Sequence, residues 1–151
     1  MKIEKKIHFY KKGIRVLAIA ESFRKENSFS IISGIVMRKD LIIDGIKFGT
    51  VTIGGDDATS NITEMFKDLK RNDINLILLD GLIISMYNIV DGEKILKETG
   101  IPVIAISFND SIGISESIKN FFPDNYKRKM ELYNRLGDRK KIFLKSGKHL
   151  F

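Results

Sequence analysis

TVTIGGDDATSNITEMF, residues Thr50–Phe66, changes its hydrophobic period half-way along, and that change decides the fold. Up to Ile53 the side chains are mostly β-branched and suit a strand. Beyond the turn, Ile62, Met65, Phe66 and Leu69 recur at i, i+3, i+4 and i+7, the apolar stripe of a helix from about Thr59 to Lys70. Gly54-Gly55-Asp56-Asp57 is the join between them. Upstream, IRVLAIA (Ile14–Ala20) and SIISGIVM (Ser30–Met37) read as strands, the first apolar enough to be buried on both faces. The polar segment between them makes a hairpin the simplest connection. In LIIDGIKFGTVTI (Leu41–Ile53), Asp44-Gly45 lies between two β-type runs and predicts a tight hairpin turn, because both residues tolerate positive φ.

Downstream, INLILLD (Ile74–Asp80) and IPVIAIS (Ile101–Ser107) are apolar strands separated by a short helix in DGEKILKETG that ends at Gly100. Helices are predicted over Ser115–Phe122 and Asp124–Leu136, and a last strand over Lys141–Leu144. A meander of three strands followed by helix, strand, helix and strand implies an α/β fold in which an antiparallel half is joined to parallel strands. The length of 151 residues fits one domain spanning 1–151.

Hydrophobic residues make up 43% and charged residues 30% of the chain, the balance of a folded globular protein. The longest apolar run, Leu82–Val90, is interrupted by Ser85 and Asn88 and is too short to cross a bilayer; without a leader pattern, the cytoplasm is the expected location. Zero cysteines exclude disulfides, thiolate metal sites and cysteine nucleophiles. His8 and His149 have no metal-ligand spacing and read as surface residues. Of the net charge of +7, Pro123–Phe151 alone carries +6, with nine Lys/Arg against three acids. Lys2, Lys5, Lys6, Lys11, Lys12 and Arg15 crowd the N-terminus. Basic ends around a more acidic centre suit a polyanion such as nucleic acid; they also suit a protein merely kept soluble.

The expected topology places the acids. If the first and third strands run the same way and the fourth pairs parallel to the first, Glu21, Asp56-Asp57 and Asp80 all reach one edge of the sheet, where α/β proteins bind ligands. Clustered carboxylates repel unless a cation relieves them. Mg²⁺ or Mn²⁺ held by Glu21, Asp56, Asp57 and Asp80 leaves positions for a phosphate oxygen and a water, and fits phosphodiester hydrolysis, with Glu21, Asp57 and Asp80 catalytic. Each acid also has a plainer role: Asp56 or Asp57 as a helix cap, Asp80-Gly81 as a turn, Glu21 as an exposed strand end. Gly54 and Gly55 allow close approach of a phosphate or of backbone. Ser85 and Asn88 either contact phosphate or sugar, or satisfy buried backbone. Lys127, Arg128, Lys129, Arg139, Lys140 and Lys141 are candidate phosphate contacts that give affinity without reading sequence.

RVLAIAESF, LIIDGIKFGTVTIGGDDAT, INLILLDG and TGIPVIAIS, taken in this order, resemble a family of small, mostly archaeal proteins described as endonuclease-dU-like. That family is similar to endonuclease V and implies a ribonuclease H-like fold. By order and spacing the resemblance matches Glu21, Asp57 or Asp56, and Asp80 to the three acids of endonuclease V. The aromatic and proline-rich wedge that endonuclease V carries before its helix acid is replaced here by FGTVTIGGDD, so inosine specificity is not implied. The expected function is a metal-dependent endonuclease acting on nucleic acid, with damaged or deaminated bases as candidate targets. The alternatives are a non-catalytic nucleic-acid-binding protein and a nucleotide- or metabolite-binding protein.

Overall fold

A computed structural model of the protein describes residues 7, 10–108 and 113–151. Lys2, Lys5, Lys6 and His8 lie outside the described residues. The chain divides into two compact units, residues up to Ala105 and residues from Ile106 onward.

The first unit begins with three strands, β1 (Arg15–Ser22), β2 (Phe29–Arg38) and β3 (Ile43–Thr52). β1 pairs antiparallel with β2, and β2 antiparallel with β3, so the meander is present. Helix α1 (Ala58–Asp68) returns the chain to β4 (Ile74–Asp80), which pairs parallel to β1. Two short strands follow, β5 (Ile83–Ile84) and β6 (Asn88–Ile89), which pair with each other; then come α2 (Gly92–Thr99) and β7 (Val103–Ile106). The main sheet has the order β3-β2-β1-β4-β7, the ribonuclease H-like mixed sheet that the resemblance implies.

One face of this sheet is buried against the helices. Leu17 and Ile19 of β1, Ile32 and Val36 of β2, and Ile77 and Leu79 of β4 pack with Ile62 and Met65 of α1 and Ile95 of α2. Fully burying each such side chain contributes about 1.5–3 kcal/mol, so this layer is the main source of the unit's stability. α1 approaches so closely that a Cβ on Gly34 would lie 2.6 Å from the Met65 sulfur and 3.1 Å from Leu17 Cδ1. Gly34 is therefore a packing requirement, not a turn. β1 itself alternates, with Leu17 and Ile19 buried and Ala20 exposed, so the reading of a strand buried on both faces is corrected.

Asp44-Gly45 is not the turn. β3 runs through it, and the chain reverses between Arg38 and Ile42, where Leu41 has φ 66° and the Arg38 N–H bonds the Ile42 carbonyl at 2.9 Å. A register shift between Val36 and Met37 leaves Asp44 as the extra residue of a bulge. The physical reason is charge: Asp44 accepts from Arg15 at 2.7 Å and meets Arg71 at 3.2 Å, while Arg71 also holds Asp73 at 2.8 Å. The ion pairs fix Asp44 in the sheet edge, and Gly45 fits because a Cβ there would press within 3.3 Å of Val36.

The second unit contains α3 (Ser115–Phe121), α4 (Tyr126–Arg135) and a hairpin of β8 (Ile142–Phe143) and β9 (His149–Leu150). The backbone of Phe151 exchanges two 2.9 Å hydrogen bonds with Ser107. Among the described residues no helix is long and apolar enough to cross a membrane.

Candidate functional site

The parallel register sets the site. Ile19 of β1 lies beside Leu79 of β4, where that pairing ends, so Ala20-Glu21, still paired with β2, comes next to Asp80-Gly81. Glu21 and Asp80 both line one open cleft, together with Ile19, Ile32, Leu79 and Ile84.

Glu21 is anchored from the far side of the cleft. The Ser85 N–H donates to Glu21 Oε1 at 2.7 Å, and the Ser85 hydroxyl donates to Oε2. Since an ionised carboxylate only accepts, the Ser85 hydroxyl is committed to Glu21, and Ser30 Oγ donates to Ser85 Oγ at 2.5 Å. Ser30 and Ser85 are both buried. Ser85 can aim both groups at Glu21 because it opens a left-handed turn, with φ 44° at Ser85, 58° at Met86 and 64° at Tyr87. Left-handed backbone costs an L-residue roughly 1–2 kcal/mol, and three in succession persist only where surrounding bonds dictate them.

Asp57 occupies the N-cap position of α1 without capping it. Its carboxylate turns back to β3, accepting from Thr52 N at 3.1 Å, Thr52 Oγ1 at 2.7 Å and Asn88 Nδ2 at 2.7 Å. Asn88, fully buried, supplies the missing cap through Oδ1, which accepts from the Ala58 N–H at 3.1 Å. Partial burial works to raise the pKa of Asp57, but the hydrogen bonds from Thr52 and Asn88 outweigh it and hold the group below its ordinary value of 3.8. Asp44 is lowered chiefly by its bond from Arg15, and Asp73 by its bond from Arg71.

These three shifts have one sign. A carboxylate whose folded pKa lies below its unfolded one stabilises the fold above the unfolded value and loses that contribution as pH falls. Melting temperature is therefore expected to drop steeply below about pH 4. Thermal melts from pH 6 to pH 2 check it; a flat profile through that window would contradict the assigned bonds.

The expected cluster of four acids resolves into two parts. Glu21 and Asp80 share the cleft, whereas Asp57 is committed to Thr52 and Asn88, and the exposed Asp56 does not line the cleft. Among the described residues no three Asp, Glu, His or Cys side chains stand close enough to hold one ion. Strand order explains this, because β2 separates β3 from β1. Ser85 and Asn88 are buried and bond carboxylates, and Asn88 also satisfies the Ala58 N–H and the Thr52 carbonyl, the backbone role that was the second of the two expected. Gly54 and Gly55 donate their N–H groups to Ser85 O at 2.7 Å and Thr52 O at 3.0 Å, so the close approach at this turn is that of backbone.

In the second unit Lys129 is 1% exposed with its ammonium 4.6 Å from the Phe122 ring centre, so it is not the surface phosphate contact expected. Lys127, Arg128, Arg139, Lys140 and Lys141 are exposed. Lys141 also lies 5.5 Å from the Phe143 ring and 5.4 Å from that of Phe151. Thr52, Ser30 and Asn61, which donates to Asp57 Oδ2 at 3.3 Å, were not singled out in the sequence. Nothing in their local pattern separates them from ordinary strand and helix residues.

A mixed sheet carrying two carboxylates in a cleft at the carboxyl ends of adjacent parallel strands defines an α/β protein with an acidic strand-end site. The chain belongs to the Endonuclease dU family, whose model matches residues 12–151. A UPF0215 protein of Pyrobaculum calidifontis is 36% identical over 136 residues, covering 89% of this chain and 74% of that one. A second, from Pyrobaculum aerophilum, is 33% identical over 136 residues, covering 89% and 72%. Among solved structures, a protein of unknown function from Archaeoglobus fulgidus superposes with a TM-score of 0.74 at 24% identity, over 91% of this chain and 76% of that one. An endonuclease V of Ciona intestinalis, solved with inosine-containing DNA, gives a TM-score of 0.46 at 14% identity, over 89% and 62%.

Proposed function

We propose that the protein is a divalent-metal-dependent endonuclease that hydrolyses phosphodiester bonds in nucleic acid, with damaged or deaminated bases as its targets. The observation that carries this reading is the pairing of Glu21 with Asp80 in one small cleft, in a chain of the Endonuclease dU family. The donor set fits Mg²⁺ or Mn²⁺: both groups are hard oxygen ligands, and such ions are commonly held by one or two carboxylates completed by water and substrate phosphate. When bound, the ion would polarise a phosphoryl oxygen and activate water.

The chain's own residues divide the remaining work. Glu21 and Asp80 hold the ion. Asp57 stays ionised and ties α1 to the rim through Thr52 and Asn88. Ile19, Ile32, Leu79 and Ile84 make the floor apolar, which strengthens the electrostatics above it. Exposed Lys127, Arg128, Arg139, Lys140 and Lys141 supply phosphate contacts.

Thermal shift tests the metal. With only two carboxylates, Mn²⁺ alone is expected to raise the melting temperature at millimolar concentration, and more so with a phosphorothioate oligonucleotide present. A ligand at a hundredfold excess over its Kd stabilises by about 2.7 kcal/mol. Absence of any shift with both present would defeat the proposal; oligonucleotide binding that ignores Mn²⁺ would instead support a non-catalytic nucleic-acid-binding protein.

A further inference from the structure

The β5–β6 hairpin carries two buried polar side chains, Ser85 and Asn88, that reach both sides of the site. Ser85 holds both oxygens of Glu21, Asn88 holds Asp57 and caps α1, and the Ser85 carbonyl accepts the Gly54 N–H of the β3–α1 turn. The geometry points to Ser85 as a positioning residue for the reaction, with the left-handed turn Ser85-Met86-Tyr87 as the device that aims it. This rests on the proposed function of the cleft.

Three steps lead there. A glutamate at a strand end has free side-chain torsions, so a cleft built on Glu21 needs something to fix which way its oxygens face. Ser85 does so with two donors on two oxygens, its N–H on Oε1 and its hydroxyl on Oε2. Each carboxylate oxygen has two acceptor positions, so this leaves one on each for the cleft that Glu21 shares with Asp80.

The hydrogen-bond direction is also set. Ser30 donates to Ser85 and Ser85 donates to Glu21, a chain that exists only while Glu21 is an acceptor. The positive φ at residue 85 is what turns its N–H and Oγ to the same side. Outer partners of metal-binding carboxylates commonly change metal affinity or activity by 10- to 100-fold when removed.

Two variants separate the hydroxyl from the backbone. Ser85→Ala removes the hydroxyl but keeps an L-residue at φ 44°; Ser85→Gly removes it while relieving the backbone. For both, the Mn²⁺ dissociation constant is expected to rise about tenfold or more, and kcat to fall by a similar factor while KM for the oligonucleotide stays unchanged. A metal affinity within twofold of wild type in both variants would overturn the inference.

A Ser85→Ala/Glu21→Gln double-mutant cycle on the unfolding equilibrium needs no metal and no substrate. A coupling of about tenfold is expected for a contacting pair, and additive effects would overturn the inference. If the coupling is present but the wild type neither binds Mn²⁺ nor cleaves nucleic acid, the proposed function falls, and with it the catalytic purpose of Ser85, while its bond to Glu21 stands.

Discussion

Replacing Asn88 with leucine is expected to lower folding stability by about 3 kcal/mol, because a hydrogen bond to a charged group is worth roughly 1.5–3 kcal/mol and a buried N–H left without a partner costs roughly 1–3 kcal/mol. Asp57 and the Thr52 carbonyl each lose one bond and keep others, whereas the Ala58 N–H loses its cap. Asn88 Nδ2 donates to Asp57 Oδ1 at 2.7 Å and to the Thr52 carbonyl at 2.9 Å, and Oδ1 accepts from the Ala58 N–H at 3.1 Å. Leucine keeps the branching of asparagine but is bulkier, so at this fully buried position overpacking adds to the loss. For a chain of this length, 3 kcal/mol corresponds to a fall in melting temperature of about 10 °C. Urea unfolding measures it, and Asn88→Asp serves as the control, since it keeps the cap on Ala58 but sets a second carboxylate against Asp57. A leucine variant within about 0.5 kcal/mol of wild type, the range of ordinary surface changes, would mean that Asn88 does not hold α1 to the rim.

Asp80→Asn is expected to separate activity from stability. Asp80 ends β4 and is exposed, so the substitution should leave stability within about 0.5 kcal/mol. Amide in place of carboxylate removes one of two anionic ligands, and cleavage is expected to fall about 10³-fold, equivalent to roughly 4 kcal/mol of transition-state stabilisation. Glu21→Gln should match it in activity but also lose stability, since Ser85 donates two hydrogen bonds to that carboxylate. Steady-state cleavage assays beside thermal melts distinguish the two. A variant that loses its fold as it loses activity would assign Asp80 a structural role instead.

The main sheet was legible because its strands are short apolar runs and its helices carry a clear 3.6-residue stripe. INLILLD is β4 to the residue, and Gly100 ends α2 with φ 69°. The pairing of Glu21 with Asp80 followed from that topology. Asp44-Gly45 misled because turn chemistry was read locally, while Arg15 and Arg71 act from 29 and 27 residues away.

The β5–β6 hairpin could not be read. LIISMYNIV has no period, and Met86 and Tyr87 are not residues that ordinarily turn a chain. Their conformation is imposed by partners distant in sequence, Glu21 lying 64 residues from Ser85 and Asp57 lying 31 from Asn88. Asp57 escaped both local readings for the same reason. It sits where a cap belongs, but Asn88 does the capping, and its own carboxylate is turned to the sheet.

The central claim is that Glu21 and Asp80 hold a metal ion for phosphodiester cleavage. Incubating the protein with Mn²⁺ and end-labelled oligonucleotides containing uracil, inosine or an abasic site, in parallel with Asp80→Ala, tests it most directly. The account predicts discrete cleavage products with wild type, dependent on Mn²⁺ and lost in the variant. Products formed equally well by Asp80→Ala, or none formed by wild type on any of these substrates, would contradict it.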